Sequence, residues 1–306
     1  MKALVTGGAG FIGSHIVERL LSDGHEVVVL DDFSTGHRHN LPAHDKLSVV
    51  EGDIRDFDTV NDCTQGVDWV FHKAAVASVP KTVNDPVGSS AANYQGTLHV
   101  LEAARQHGVQ RVVFASSAAL YGDEPTLPKR EDMLPVTLSP YAVDKLASEY
   151  ACGMYTKLYG LKTVALRYFN VYGPRQDPSS PYSGVISIFA DKLGKGEMPT
   201  IFGDGEQTRD FVFVSDVVEA NMRAASRDEP VGRFMNIATG QQITLNALLK
   251  IFCELYDMPF QPQYAAPRQG DIKESYADID LARSLLDWQP EVALQNGLQR
   301  LYESLR

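Results

Sequence analysis

The sequence predicts an α/β protein built on a doubly wound parallel sheet of the Rossmann type, with a smaller α/β lobe towards the C-terminus. Three observations carry this expectation. Short β-branched runs alternate with segments of helical period, the runs are apolar almost throughout, and a glycine cluster lies where the first run turns into the first helix. Such a pattern fits a parallel sheet covered by helices on both faces.

Residues 2–6, KALVT, read as the first strand, and it runs directly into TGGAGFIGSH. Glycines at 7, 8, 10 and 13 permit positive φ and let the backbone approach a pyrophosphate at a helix N-terminus, while Gly13 lets that helix lie close to the sheet. Gly7, Gly10, Phe11, Ile12 and Gly13 are therefore candidate dinucleotide contacts. From Phe11 to Ser22 the helical stripe is Ile12, Ile16, Val17, Leu20 and Leu21, and Gly24 can end it. The second strand, EVVVL, delivers Asp31 21 residues after Gly10, where a carboxylate can hold the adenosine ribose hydroxyls. Asp32 stands beside it. An acid at this place repels a ribose 2′-phosphate, which favours NAD over NADP, although Arg38 nearby tempers that choice. After the third strand, LSVV, Asp53 and Ile54 in EGDIR are positioned to cap the adenine.

The strands VDWVF and RVVFAS follow, and the latter brings Ser116 and Ser117 to the carboxyl edge of the sheet, where ligands bind in this architecture. A hydroxyl there can accept and donate a proton, and both serines stay candidates, with Ser117 preferred. The next segment, SPYAVDKLASEYACGMYTKLYG, is helical from a Ser-Pro start and sets Tyr141 and Lys145 one turn apart on one face. A free tyrosine titrates near pH ~10, so its phenolate needs a neighbouring ammonium and the positive nicotinamide to be populated. LKTVALRYF supplies a sixth strand. Proline, glycine and serine then cluster at 173–184. We expect a cofactor domain over 1–172 and a mainly substrate-binding lobe over 173–306, with the runs FVFV and RFMNIA returning the chain to the sheet near 211–238.

Composition removes several function classes. With 28 basic and 39 acidic residues the formal charge is -11, which repels polyphosphate backbones, so no nucleic-acid partner is expected. No apolar run is long enough to span a bilayer, and the chain opens straight into a strand, so we expect no membrane partner and a cytoplasmic setting. Cys63, Cys152 and Cys253 are far apart and odd in number, which points to reduced thiols and to no metal.

The segments TGGAGFIGSH, HKAAVASV, NYQGT, Ser117 before AALYG, YAVDK, LRYFNVYGPRQDP, FGDGEQTRDFVFVSDV and PRQGDIKESYADI together resemble the extended short-chain dehydrogenase/reductase family, in its nucleotide-sugar branch. Within that branch the chain is most similar to UDP-glucose and UDP-N-acetylglucosamine 4-epimerases. The resemblance implies an enzyme with bound NAD that oxidises the 4-hydroxyl of a UDP-hexose to a 4-keto sugar and reduces it again with inverted configuration. It assigns Ser117 to a hydroxyl relay, Tyr141 to the base and Lys145 to the nicotinamide ribose, with the Lys73-Ala74-Ala75 turn, Asn93 and Tyr168 as further cofactor contacts. Arg209 and Arg268 match positions that clamp the diphosphate, Asp210 and Asp271 would orient them, Phe202 packs near uracil, and Asn170 binds diphosphate or sugar. Small residues at Ala77, Ser78 and Ser275 leave room for an acetamide, which implies UDP-GlcNAc and UDP-GalNAc as substrates beside UDP-Glc and UDP-Gal. Ser117-Ala118-Ala119 lacks the acidic pair of the 4,6-dehydratases. UDP-glucuronate 4-epimerases and decarboxylases remain open, as does a protein of this fold that senses NAD without catalysis. The family also implies a homodimer through a four-helix bundle, here near residues 88–107 and 141–159, with Leu98, Leu101, Ala104, Leu146 and Tyr150 as apolar candidates.

Overall fold

The β-branched runs of the N-terminal half fold as strands separated by helices, in a computed structural model that describes residues 1–177, 184–267 and 272–306. In order these are β1 (Lys2–Thr6), α1 (Phe11–Ser22), β2 (Glu26–Asp31), β3 (Leu47–Glu51), α2 (Phe57–Thr64), β4 (Trp69–His72), α3 (Val79–Asn84), α4 (Pro86–Ser90), α5 (Gly96–Gln106), β5 (Arg111–Ser117), α6 (Pro140–Tyr159) and β6 (Thr163–Tyr168). The remainder comprises β7 (Asn170–Tyr172), α7 (Val185–Gly194), β8 (Thr200–Phe202), β9 (Thr208–Arg209), β10 (Phe211–Phe213), α8 (Val214–Ser226), β11 (Phe234–Ile237), β12 (Ile243–Thr244), α9 (Leu245–Leu255), β13 (Gln263–Ala265), α10 (Asp280–Leu286) and α11 (Leu294–Ser304).

Seven strands form one parallel sheet in the order β3-β2-β1-β4-β5-β6-β11. The order reverses between β1 and β4, so a crevice opens beyond the carboxyl ends of those two strands. One face is covered by α1 and α8, whose Ile16, Val17, Leu20, Val217 and Ala220 are fully buried with Val5, Val29 and Leu166. Burial of each large aliphatic side chain contributes about 1.5–3 kcal/mol, which holds α1 where its N-terminus meets the crevice. The other face is packed by Val60, Val100, Leu101, Ala104 and Cys152 against Leu4, Val70 and Phe114. A third cluster joins Phe189, Ile201, Leu248, Phe252 and Leu298 beyond the sheet.

Two expectations are corrected. Covering on both faces stops short of β3, an edge strand on which Ser48 and Val49, pointing to opposite faces, are both exposed, Val49 at 37%. The run FVFV does not enter the large sheet: its β10 pairs with β7, and the chain rejoins the sheet only at β11. The chain breaks the strand at Phe213 to start α8, which then buries its apolar face on the sheet. Helix α6 begins as expected, with Ser139 accepting a bond from the Ala142 N–H at 3.2 Å and Pro140 in the first turn; Gly160 at φ +71° ends it. Among the described residues no helix is long and apolar enough to cross a membrane, no acid, histidine or cysteine cluster could hold a metal, and Cys63, Cys152 and Cys253 are free and buried.

Candidate active site

The cradle at the crevice is made by backbone contacts that tolerate no side chain. Gly7 adopts φ +67°, and a Cβ there would lie 2.6 Å from the Ala74 nitrogen; a Cβ on Gly13 would lie 2.1 Å from the Gly7 carbonyl oxygen. The strand end, the start of α1 and the 73–75 turn are thereby pressed together. At the N-cap of α1, Gly10 offers no capping side chain, so the first-turn N–H groups of Phe11, Ile12 and Gly13 remain for an anion. A dinucleotide pyrophosphate fits this cradle in charge and in space.

Asp31, 6% exposed, accepts the Ala9 N–H at 2.8 Å on one oxygen and the Phe33 N–H at 2.9 Å on the other. Two of its four acceptor positions stay open, as a ribose contact requires. Asp32 is exposed and holds the Ser34 N–H and hydroxyl at 2.9 and 2.7 Å, so it shapes the turn. Arg38 pairs with Glu51 at 2.5 Å and lies over the Phe33 ring, which commits its charge away from Asp31. Asp53 is engaged by the Arg55 N–H and guanidinium, each at 2.8 Å, and that guanidinium lowers its pKa. Ile54 is buried against Gly96. Ala74 donates its N–H to the Thr6 hydroxyl at 3.3 Å, with Ala75 beside it at the rim. Asn93, on a π-helical turn that leads into α5, accepts the Val76 N–H at 2.7 Å and returns a bond to the Val76 carbonyl at 3.3 Å. It fixes the 74–76 turn.

At the carboxyl end of β5 the two serines separate. Ser116 is buried and donates to Glu149 at 2.5 Å, whereas the Ser117 hydroxyl accepts the Ala119 N–H at 3.1 Å and lies close enough to Tyr141 to lower its pKa. Tyr141, Lys145 and Glu149 recur at every fourth residue along one face of α6. The Lys145 ammonium donates to the Ala115 carbonyl at 2.7 Å and sits 5.7 Å from the centre of the Tyr141 ring, over the ring rather than on the hydroxyl. Burial raises the Tyr141 pKa against a smaller lowering by the Ser117 bond, and burial lowers that of Lys145 to about 8. The apo site thus disfavours the phenolate.

Behind this pair lie buried polar groups, of which sequence reading named Lys73 and Tyr168 and missed Arg167, Glu149, Asn221, Asn236 and His72. Arg167 and Glu149 form an ion pair at 2.8 Å with side chains 1% and 0% exposed; Arg167 also donates to the Tyr121 hydroxyl at 3.0 Å, which donates to Asn236 at 2.7 Å. Lys73 donates to the Tyr168 hydroxyl at 3.0 Å, and Tyr168 exchanges bonds with Asn221. His72 bridges the Thr6 and Thr97 hydroxyls at 2.7 and 3.0 Å, and burial drives its pKa well down, so it is a neutral strut. Charged Arg167 within the apolar run of β6 was the readable signal for one of them.

On the other side, Phe202 lines a cavity of about 650 Å³ with Gly203, Gln207, Tyr264 and Lys273. Asn170 donates its side-chain amide to the Asp210 carbonyl at 3.0 Å. Arg209 donates to the Thr208 carbonyl at 2.8 Å. The Asp210 carboxylate accepts bonds from the Thr239 N–H and hydroxyl, the Gly240 N–H and the Ala277 N–H, at 2.6–3.3 Å, and so organises that turn. Ser275 is half-buried between two anchors, the Lys273 carbonyl on the Thr208 N–H and the Tyr276 carbonyl on the Lys129 N–H, each at 2.9 Å. Ala77 is exposed, and Ser78 caps α3 by accepting the Lys81 N–H at 3.3 Å. Arg268 and Asp271 lie outside the described residues. Leu101 and Ala104 are 0% exposed and Leu98 packs on the same core, so these three serve the interior; Tyr150, at 62% exposure, faces outward.

A reversing parallel sheet, a pyrophosphate cradle and a Ser-Tyr-Lys set at the crevice define an enzyme of the extended short-chain dehydrogenase/reductase class. The model of the NAD dependent epimerase/dehydratase family matches residues 3–238, and the chain belongs to that family, in its nucleotide-sugar epimerase branch, with NAD as cofactor. It is 43% identical to the UDP-glucose 4-epimerase of Mycolicibacterium smegmatis over 311 residues, covering 100% of this chain and 99% of that one. The UDP-glucose 4-epimerase of Thermotoga maritima, solved with UDP-glucose, superposes with a TM-score of 0.95 at 38% identity, covering 100% of this chain and 98% of that one. The UDP-N-acetylglucosamine 4-epimerase of Methanobrevibacter ruminantium, solved with UDP-N-acetylmuramic acid, gives 0.96 at 37% identity, covering 99% and 97%.

Proposed function

We propose that the protein interconverts the 4-epimers of UDP-hexoses, with UDP-GlcNAc and UDP-GalNAc accepted beside UDP-Glc and UDP-Gal. The observation that carries this reading is the Lys145 ammonium, bonded to the Ala115 carbonyl at 2.7 Å and lying over the Tyr141 ring, beside Ser117 at the end of β5. Bound NAD supplies the acceptor and donor of the hydride at carbon 4. The chain's own part is proton handling and orientation. Ser117 passes the 4-hydroxyl proton to Tyr141, and the same pair returns it after the 4-keto sugar has turned its other face. Lys145, as ammonium, stabilises the Tyr141 phenolate across the ring and holds the nicotinamide ribose.

Asp31 holds the adenosine ribose, and the other crevice residues, from Gly7 to Gly13 and at Asp32, Asp53, Ile54, Ala74, Ala75, Asn93, Ser116 and Tyr168, line or brace the dinucleotide. In the lobe from 173 onward Phe202 packs the uracil, Arg209 with Arg268 clamps the diphosphate while Asp271 orients the arginine fork, and Asn170 meets the diphosphate or sugar from β7. Arginine suits the clamp because its planar fork binds phosphate oxygens in pairs. Ala77, Ser78 and Ser275 leave space for the acetamide. Two copies associate through α6, where Val143, Tyr150, Met154 and Leu158 form an exposed stripe of 40–67%.

The test is to incubate the purified protein with UDP-GlcNAc, with and without added NAD, and to follow the anomeric proton by NMR. UDP-GalNAc appearing at a fixed final ratio is the expected result. Conversion of UDP-glucose alone removes the acetamide argument, and a product formed only from UDP-glucuronate replaces the whole reading.

A further inference from the structure

The end of β5 that carries Ser116 and Ser117 is only half held by the sheet. Pairing of β5 with β4 stops at Phe114, opposite His72, while the ladder with β6 runs on to Ser117, opposite Tyr168. Ala115, Ser116 and Ser117 are therefore paired on one side only. Two ties from α6 hold this end. The Lys145 ammonium donates to the Ala115 carbonyl at 2.7 Å, and one turn further on the Glu149 carboxylate accepts the Ser116 hydroxyl at 2.5 Å. One turn before Lys145 stands Tyr141, close enough to Ser117 for that hydroxyl to lower its pKa. Three successive turns of α6 thus meet three successive residues of β5.

The Glu149 tie is itself fixed. Arg167 lies beside Ser116 in the register of the sheet and grips Glu149 with two bonds, Nε on Oε1 at 2.9 Å and Nη2 on Oε2 at 2.8 Å. Its Nη1 donates to the Tyr121 hydroxyl at 3.0 Å, and the guanidinium lies 4.2 Å from the centre of the Phe234 ring. Apolar residues of similar volume often serve stability as well as a buried ion pair does, so stability alone does not account for this one. A fully bonded buried network rigidifies what it touches, and this one touches the Ser116 hydroxyl. We propose that Glu149, locked by Arg167, is a positioning residue: through Ser116 it fixes the carboxyl end of β5 and so sets the Ser117 hydroxyl against Tyr141 for proton transfer. The inference rests on the reading of Ser117 and Tyr141 as the proton-handling pair.

The experiment is a double-mutant cycle on the full chain with NAD: Ser116→Ala, Glu149→Asp and both together, with steady-state kinetics on UDP-glucose and crystal structures of wild type and Ser116→Ala. Ser116→Ala cuts the tie and leaves the ion pair whole, whereas Glu149→Asp keeps the charge beside Arg167 and withdraws the carboxylate by one methylene. Each single change should lower kcat roughly ten-fold per NAD-loaded chain at nearly unchanged KM, because a misplaced reacting group costs rate rather than binding. The double variant should be no slower than the singles, since both changes cut the same tie. In the Ser116→Ala crystal the Ser117 hydroxyl should stand farther from Tyr141 than in wild type. Losses that multiply in the double variant overturn the proposal, as does an unchanged kcat in Ser116→Ala. So does a loss that shows only as fewer NAD-loaded chains, which is what a merely weakened fold produces. Should Ser116→Ala fail to fold, Glu149→Asp carries the kinetics and the crystal structure alike. If wild type turns over no UDP-hexose, the proton-handling reading fails, and the positioning claim stands or falls on the Ser117–Tyr141 distance in the two crystals.

Discussion

The cofactor side of the crevice and the side proposed to take the sugar are built by different means. Around the cofactor cradle, backbone presses on backbone: Gly13 and Gly7 leave no space for a Cβ, and β1 is held between two parallel neighbours. On the sugar side the frame is β8 with β13 and β9 with β12, strands of two or three residues contributed from widely separated parts of the chain. Phe202 of β8 and Tyr264 of β13, with loop residues such as Gln207 and Lys273, line a cavity of about 650 Å³. The first arrangement fixes one ligand shape by sterics, whereas the second leaves ligand choice to a few replaceable side chains. Substitutions on the cofactor side should therefore cost binding and stability together, and those on the sugar side should change specificity alone.

Tyr141→Phe stands where the two sides meet and should have the largest effect. It removes the proton acceptor, so kcat should fall by at least about 10²–10⁴-fold while NAD and UDP-sugar binding stay within a factor of a few. Steady-state kinetics beside binding isotherms check this, and near-normal turnover takes Tyr141 out of the mechanism. Arg167→Met comes next, on stability. It leaves Glu149 buried without its counter-charge, and breaking such a pair costs about 3–5 kcal/mol. Denaturant titration should show that loss, and Ser116, which donates to Glu149, should lose its fixed position.

Gly13→Ala tests the steric half of the comparison. A methyl group 2.1 Å from the Gly7 carbonyl forces the start of α1 away from β1, at about 1–3 kcal/mol, and NAD binding should weaken in parallel. Stability loss without weaker NAD binding breaks the claimed coupling. Ser275→Tyr tests the other half: activity on UDP-GlcNAc should fall roughly ten-fold relative to UDP-glucose, with an unchanged melting temperature. A matching loss on both sugars, or a lower melting temperature, means that the sugar side is as constrained as the cofactor side.

The same division explains what could be read in the sequence. Gly7, Gly13 and Asp31 are legible because a strand, a tight turn and a helix in direct succession fix their spacing, and the four-residue step from Tyr141 to Lys145 is legible for the same local reason. The seven-stranded sheet follows from unbroken apolar runs, and β3 departs from the rule because residues on both of its faces stay exposed, whereas β11 at the opposite edge is buried. Distant pairings leave no local trace. Tyr168 meets Asn221 across 53 residues and Lys73 across 95, and nothing in either segment points to the other. Glu149 lies one further turn along the Tyr141 face, but its partner Arg167 had to be seen in β6. Phe202 and Ser275 were accessible by family resemblance alone, since an aromatic residue in a short strand and a serine in a loop are otherwise unremarkable.

The smallest effect is a slope. Burial lowers the Lys145 pKa from 10.5 to about 8, against the opposing pull of Asp144 and Glu149. Below pH ~8 folded and unfolded chains both carry the proton, and the cost of burying the charge is fully present. Between about 8 and 10.5 the folded chain has shed the proton that the unfolded chain retains, so the unfolded state binds more protons and stability rises with pH. Lys145→Met lacks this term. Denaturation of the cofactor-free protein at pH ~7.5, ~8.5 and ~9.5 should show wild type gaining on the variant by at most about 1.4 kcal/mol per pH unit. Lys145 also lowers the pKa of buried Lys73, so the same pair is compared in a Lys73→Met background, where the difference isolates Lys145. If wild type instead loses ground as pH rises, the carboxylates of Asp144 and Glu149 outweigh desolvation, and Lys145 is an ion-paired brace rather than a cation kept ready to change its charge.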